Sequence, residues 1–434
     1  MNKSAGIYYG WWIVGACSLI LFVCAGIGFS TLPVFFDYLL EDISESRRVI
    51  SFAGTIAAVA AGLSAPLVGW VVDRRGPRAV MLFGTVLLSV AFILLGGMTR
   101  PRQLHILYLL VGFGLTATTL IPCQTLISRW FELRRGRAMG IITMGNAVGT
   151  AVWIFVASRM IDAVGWRLTY GIFGIIIATV SLPLIFFVIR TSPQSMGMER
   201  GDQADLSENR KLSAGQLVVE EPGYTIMEVF RTASFWLIFS ATFFVVFASS
   251  GFGLHAIPFL TEQGIPHTRA SAIWMLVHLV SIVSRLFFGY VSEKYQKRYF
   301  ASAANISRTV CLASLILFAL GQVPGSAAVL LLVSIYGVGM GCNAVMNPLI
   351  ISETFGVKSF GKIMGALALP YTIGMGLGMY AGGHLFDLLE NYNVAFIVFA
   401  FSFVLAGISV AFARPHFLLG RQSALREAHR RPAG

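Results

Sequence analysis

Arg285 stands in Ser284-Arg285-Leu286-Phe287-Phe288-Gly289, well inside a long apolar run. A charged side chain at the centre of a membrane helix costs about 2.5–3.5 kcal/mol on insertion scales, so one that persists there is by default functional. A guanidinium stays charged at every relevant pH and matches a carboxylate through two parallel hydrogen bonds. The expected chemistry is therefore a carboxylate clamp. The plainer alternative is an arginine satisfied by a carbonyl or a helix end. Ser281, His278 and Trp274 precede it by four, seven and eleven residues, which places all of them on one helical face. His278 can accept a proton near neutral pH, or simply pack against a backbone carbonyl.

Other polar residues interrupt the apolar runs. His255 follows Gly251-Phe252-Gly253, and Tyr336 and Asn343 share a helical face at a spacing of seven. Tyr371, Asn146 and Thr143 are similarly embedded, and Thr118, Thr119 and Gln124 surround Pro122. Hydroxyl and amide groups of this kind orient a small hydroxy- or keto-acid; they serve equally well as helix–helix hydrogen bonds. Substrate contact is expected at Arg285, His255, Tyr336, Tyr371, Asn146 and Thr119, and proton coupling at His255 or His278. No Asp or Glu lies in mid-span, since Asp37 and Asp387 fall at helix ends. Arg308 lies about eight residues inside its run and is expected to snorkel to the surface.

Enzyme chemistry finds no support. Gly112-Phe113-Gly114 lies within an apolar helix with no strand before it, so it is not a dinucleotide loop, and no Walker A sequence occurs. The five cysteines lack CxxC spacing, so no metal site or disulfide framework is expected. No cofactor is expected either.

The elements that carry these residues are dictated by composition. Of 434 residues, 56% are hydrophobic and only 12% charged, against about 45–50% and about 25% in soluble domains. One soluble core cannot hide that much apolar surface, and a bilayer can. Spanning helices of about 20 residues are expected at Tyr9–Phe36, Val49–Val72, Ala79–Met98, Leu104–Ile127, Ala138–Ile161, Leu168–Ile189, Phe235–Leu260, Ala270–Val291, Phe300–Val323, Ala327–Ile350, Ile363–Phe386 and Val394–Ala413. The expected fold is an all-α membrane protein of twelve transmembrane helices in two pseudo-symmetric six-helix bundles. Its domains are residues 1–190, a polar linker over 191–233, and residues 234–434 with a basic tail.

The net charge of +12 reflects topology rather than nucleic-acid binding. Lys and Arg crowd alternate loops, at Arg74 to Arg78, Arg129 to Arg137, Lys294 to Arg298 and Arg414 to Arg431, and are sparse in the others. Positive residues stay inside, so both termini and the linker should be cytoplasmic in a cell (inner) membrane protein. The partners are then the lipid bilayer, a small carboxylate substrate and protons; the sequence leaves the oligomeric state open, and a monomer is compatible with it.

The two halves repeat at an offset of about 220–225 residues, as in secondary transporters. Gly69-Trp70-Val71-Val72-Asp73-Arg74-Arg75-Gly76-Pro77-Arg78 is answered by Gly289-Tyr290-Val291-Ser292-Glu293-Lys294 and Arg298. The first segment resembles the helix 2–3 loop signature of the major facilitator superfamily, which implies a gating role for Gly69, Asp73, Arg74, Gly76 and Arg78, with Glu293 and Arg298 as their counterparts. A finer resemblance is carried by Tyr9-Gly10-Trp11-Trp12, Arg129-Trp130-Phe131, Arg134 to Gly140, Ser192-Pro193-Gln194, Met227 to Thr232 and His255-Ala256-Ile257-Pro258-Phe259-Leu260. Together these look like the bacterial oxalate/formate-antiporter and monocarboxylate-transporter branch, in which a helix-eight arginine binds the substrate carboxylate.

The chain departs from that branch in three places. Ser281 stands where animal monocarboxylate transporters carry an Asp. Phe29 to Pro33 lacks their lysine, and Ile363–Phe386 lacks the second cation of the oxalate carriers. One fixed cation favours one carboxylate. A lactate- or pyruvate-like monocarboxylate is therefore expected. The first two departures keep the animal carriers' proton mechanism from being carried over. Proton-coupled symport is expected instead because a cotransported proton removes the electrical cost of moving the anion. Formate/oxalate exchange, or export of an unrelated hydrophobic compound, are the alternatives.

Overall fold

A computed structural model describes residues 8–43, 46–131, 135–196, 224–291, 296–356 and 360–413. Among the described residues, twelve helices are long and apolar enough to cross a membrane: α1 (Tyr9–Ile43), α2 (Arg47–Val72), α3 (Pro77–Gly96), α4 (Pro101–Trp130), α5 (Arg137–Val164), α6 (Trp166–Val188), α7 (Ala233–Glu262), α8 (His267–Phe288), α9 (Lys297–Ala319), α10 (Gly325–Phe355), α11 (Ile363–Leu389) and α12 (Asn393–Phe412). Apolar runs form helices because a lipid environment offers backbone groups no partner outside the segment itself. Much of the expected linker (197–223) and the basic tail (414–434) lie outside the described residues.

Several helices are broken where the sequence removes or diverts a backbone hydrogen bond. In α4, Thr119 adopts φ −100°, ψ −115°. Three residues on, Pro122 has no N–H for the Thr118 carbonyl, and the Cys123 thiol lies 4.0 Å from that oxygen. α1 carries a wide turn at Leu21–Ala25, and α10 carries another at Leu332–Tyr336.

The chain packs as two compact units. One is Met1–Gln216 with Leu254–His278; the other is Leu217–Gly253 with Leu279–Gly434. The division falls inside α7 and α8, so the end of α7 and the start of α8 pack with the first six helices. In the first unit α5 crosses α1 closely, with Gly145 and Gly149 against the backbone of Ser18 and Phe22, where no Cβ fits. In the second unit Gly374 and Gly378 of α11 meet the backbone of Phe243 and Phe247 in the same way.

The residues of the Tyr9 and Trp130 motifs act at helix ends. Tyr9 donates to the Val188 carbonyl (2.9 Å), Tyr8 to the Trp130 carbonyl (3.1 Å), and the Trp130 indole to the Arg190 carbonyl (3.0 Å). They tie the ends of α1, α4 and α6 together.

Gly76 closes α2 at φ 82°, its N–H reaching the Val72 carbonyl, and Pro77 opens α3. At φ 82° and ψ 153° the backbone lies in a region essentially reserved for glycine, where an L side chain costs about 1–3 kcal/mol, and a Cβ there would sit 3.1 Å from Thr191 Cγ2. Gly76→Ala should therefore lower the thermal unfolding midpoint of the purified protein. An unchanged midpoint would show that this turn tolerates the strain.

Candidate functional site

Arg285, Tyr336 and Tyr371 belong to the second unit; His255, His278, Asn146 and Thr119 belong to the first. The α8 segment around Arg285 is held to α10 by its neighbours. The Ser284 hydroxyl donates to the Val338 carbonyl at 2.7 Å, and the Ser281 backbone packs on Gly341. Ser281 is completely buried. Arg285 is half-buried, its Nε is shielded from solvent without a hydrogen-bond acceptor, and no ion pair holds it among the described residues. A guanidinium in this state can receive an anion without first breaking a salt bridge.

Tyr336 is 1% exposed. Its ring lies 4.9 Å from Phe252 and 6.2 Å from Phe403. Tyr371 presents much of its side chain at the surface of α11.

Arg308 corrects the snorkelling expectation. It is 2% exposed and stays inside. Nη1 donates to Ser249 Oγ at 3.0 Å and Nη2 to the Gly339 carbonyl at 3.1 Å. The Tyr336 and Phe403 rings lie 5.3 and 5.0 Å from its Cζ. Four interior partners outweigh the pull of the surface.

In the first unit His255 is fully buried. Its Nε2 lies 3.2 Å from Ser51 Oγ of α2, and its ring is 5.2 Å from Phe36 of α1, edge to face. His278 is half-buried, 5.4 Å from the Trp274 ring. Asn146 is half-buried on α5. Thr119 donates its hydroxyl to the Leu115 carbonyl at 2.6 Å, beside the break in α4, which leaves only its oxygen lone pairs for a ligand.

Sequence reading missed a charge cluster at the same end of the first unit. Arg47 of α2 pairs with Glu262 of α7 and lies 3.9 Å from Asp37 of α1. Thr261 donates to Asp37 at 2.8 Å. Nearby, His267 of α8 meets the Val34 carbonyl at 2.9 Å and Ser158 at 3.3 Å. Thr268 donates to Asp162, and Arg167 pairs with Asp42 at 3.3 Å. Asp37 reads as a helix end in sequence, and nothing local to it or to Glu262 names their partners.

At the opposite end of that unit, Arg78 donates to the Phe186 carbonyl at 2.6 Å, and Arg74 lies over the Trp70 ring at 4.2 Å. Gly69 has open space beside it. The Asp73 side chain and Glu293 lie outside the described residues. Arg298 donates to Gln296 and Tyr299, both at 3.2 Å. Among the described residues in that part of the second unit, Lys297 pairs with Glu353 at 3.3 Å and joins α9 to the end of α10.

Comparison with known proteins gives consistent matches over most of the chain. The family model described as Major Facilitator Superfamily matches residues 18–353 and 303–434. Monocarboxylate transporter 12 of Mus musculus is 22% identical, across 94% of this chain and 85% of its own. The oxalate:formate antiporter of Oxalobacter formigenes is 24% identical, across 93% of this chain and 91% of its own. A crystal structure of a D-xylose-proton symporter superposes with a TM-score of 0.75 at 14% identity, covering 94% of this chain and 98% of that one. At that identity it shows the likeness of fold.

Proposed function

The chain belongs to the Major Facilitator Superfamily, a family of multi-pass membrane transporters, and from that premise we propose that it carries a small monocarboxylate of the lactate or pyruvate type together with a proton. Residues 1–190 and 234–434 form the two halves that alternate access, in a cell (inner) membrane with both termini cytoplasmic. Arg285 carries this reading: a membrane-embedded guanidinium with no acidic partner among the described residues is suited to a carboxylate. The relatives named for monocarboxylate and oxalate:formate transport support the substrate class. Moving an anion against a membrane potential costs about 2.3 kcal/mol per 100 mV, and a cotransported proton removes that cost.

The test is uptake of radiolabelled lactate, pyruvate, formate and oxalate by proteoliposomes, with and without an inward proton gradient. Gradient-driven accumulation of a monocarboxylate is the expected result. Formate/oxalate exchange, the second reading, is favoured by the antiporter relative and by the second buried cation, Arg308. It predicts counterflow with no dependence on the gradient. Absence of any carboxylate movement excludes both.

His255 and His278 are the proton carriers in this reading. His255→Gln or His278→Gln should flatten the pH dependence of uptake. Wild-type pH profiles in both variants would remove the histidines and leave the substrate's own proton as the coupled one.

A further inference from the structure

Arg308 holds a full charge where packing alone does not require one. Two hydrogen bonds and two aromatic faces solvate the guanidinium, but no carboxylate neutralises it among the described residues. Its Nε has no acceptor. The Gly339 backbone runs so close that a Cβ there would lie 3.0 Å from Arg308 Cγ. An apolar side chain of similar volume fills such a place at no greater cost, and often at less. The charge therefore needs a reason beyond packing.

The neighbouring helices suggest that reason. Arg308 grips α10 at Gly339, while α8 meets α10 at Val338 through Ser284 and at Gly341 through Ser281. α8 and α9 also touch directly, with the Phe288 and Phe300 rings 5.7 Å apart. Arg285, next in sequence to Ser284, and Arg308 thus flank the same turn of α10 in one compact unit. Packed helices lie about 8–10 Å apart, which puts the two charges roughly 10–15 Å from each other. At an effective dielectric constant of about 20, a charge at that distance changes the affinity for a monoanion about tenfold and for a dianion about a hundredfold.

We propose that Arg308 is a specificity-determining residue of the anion site: without touching the cargo, its unneutralised charge sets the potential at Arg285 and selects ligands by their negative charge. The inference rests on the reading of Arg285 as the carboxylate clamp. It also changes the charge count made from the sequence, where Arg285 stood as the single fixed cation of the site.

The test separates charge from architecture. Ser249→Asp places a carboxylate on Arg308 Nη1, which keeps the guanidinium seated and cancels its charge. Purified protein is titrated with lactate and with oxalate, and its thermal midpoint is measured. Ser249→Asp should weaken lactate about tenfold and oxalate about a hundredfold, with a midpoint equal to or above wild type. Arg308→Gln should show the same ranking of losses, and Arg308→Lys should restore most of the affinity. If wild type binds lactate alone, the lactate arm decides. Wild-type affinities in Ser249→Asp, or equal losses for both ligands, overturn the proposal and leave the clamp standing. If wild type binds neither carboxylate, the clamp reading itself falls.

Discussion

Arg285→Ala is expected to abolish carboxylate uptake, and Arg285→Lys to leave a small residue of it, while both variants insert and purify as wild type does. A bidentate guanidinium–carboxylate contact supplies two charge-assisted hydrogen bonds, each worth about 1.5–3 kcal/mol. Losing both weakens binding by about 10²–10⁴-fold. Lysine keeps the charge but loses the planar fork, so its loss should be about one bond, roughly 10–100-fold. Folding should not suffer, because removing an embedded charge relieves about 2.5–3.5 kcal/mol of insertion cost, and Arg285 makes no ion pair in the second unit among the described residues. Saturation binding measured beside uptake completes the experiment. Wild-type uptake of any carboxylate by Arg285→Ala ends the clamp reading.

The chain's spans were legible because each is a continuous run of about 20 apolar residues, which suits a helix, whereas the strands of a closed barrel are about 10 residues long and alternate apolar with polar. The Gly76 turn was legible for a similarly local reason, since its conformation and the following proline are properties of adjacent residues. Arg308 was not. Its distance from the helix end suggested snorkelling, but its partners Ser249, Gly339, Tyr336 and Phe403 come from three other helices. Tyr336 shows the same limit. Periodicity puts it on a face with Asn343, yet it does not say that Phe252, Phe403 and Arg308 cover that face. The Tyr9 and Trp130 motifs identified the family branch correctly, although their described side chains bond to helix-end carbonyls far along the chain.

The largest conformational effect should come from Arg47→Ala. Arg47 and Glu262 are 215 residues apart in sequence, yet with Asp37 and Thr261 they hold the end of α7 against α1 and α2. Below this cluster the side chains are layered. The Arg47 guanidinium carbon lies 5.7 Å from the Phe36 ring, that ring lies 5.2 Å from His255, and His255 meets Ser51 at 3.2 Å. His255 sits two turns inward from Glu262 on the same helix and is completely buried, so water and protons reach it when the layer above it separates. Without Arg47, two neighbouring carboxylates lose their shared cation and repel each other. Breaking a fully buried pair costs about 3–5 kcal/mol. Here the carboxylate side chains are 22% and 31% exposed, which lowers the expected cost to about 1–3 kcal/mol, or a 5- to 150-fold shift toward an open end. The His267 and Thr268 contacts to α1 and α5 remain, so the variant should open at this end rather than unfold. Carbethoxylation of His255, read by peptide mass spectrometry, measures the opening: its rate should rise at least fivefold in Arg47→Ala. An unchanged His255 rate would mean that Phe36 alone seals the site, and that the charge cluster serves stability rather than access.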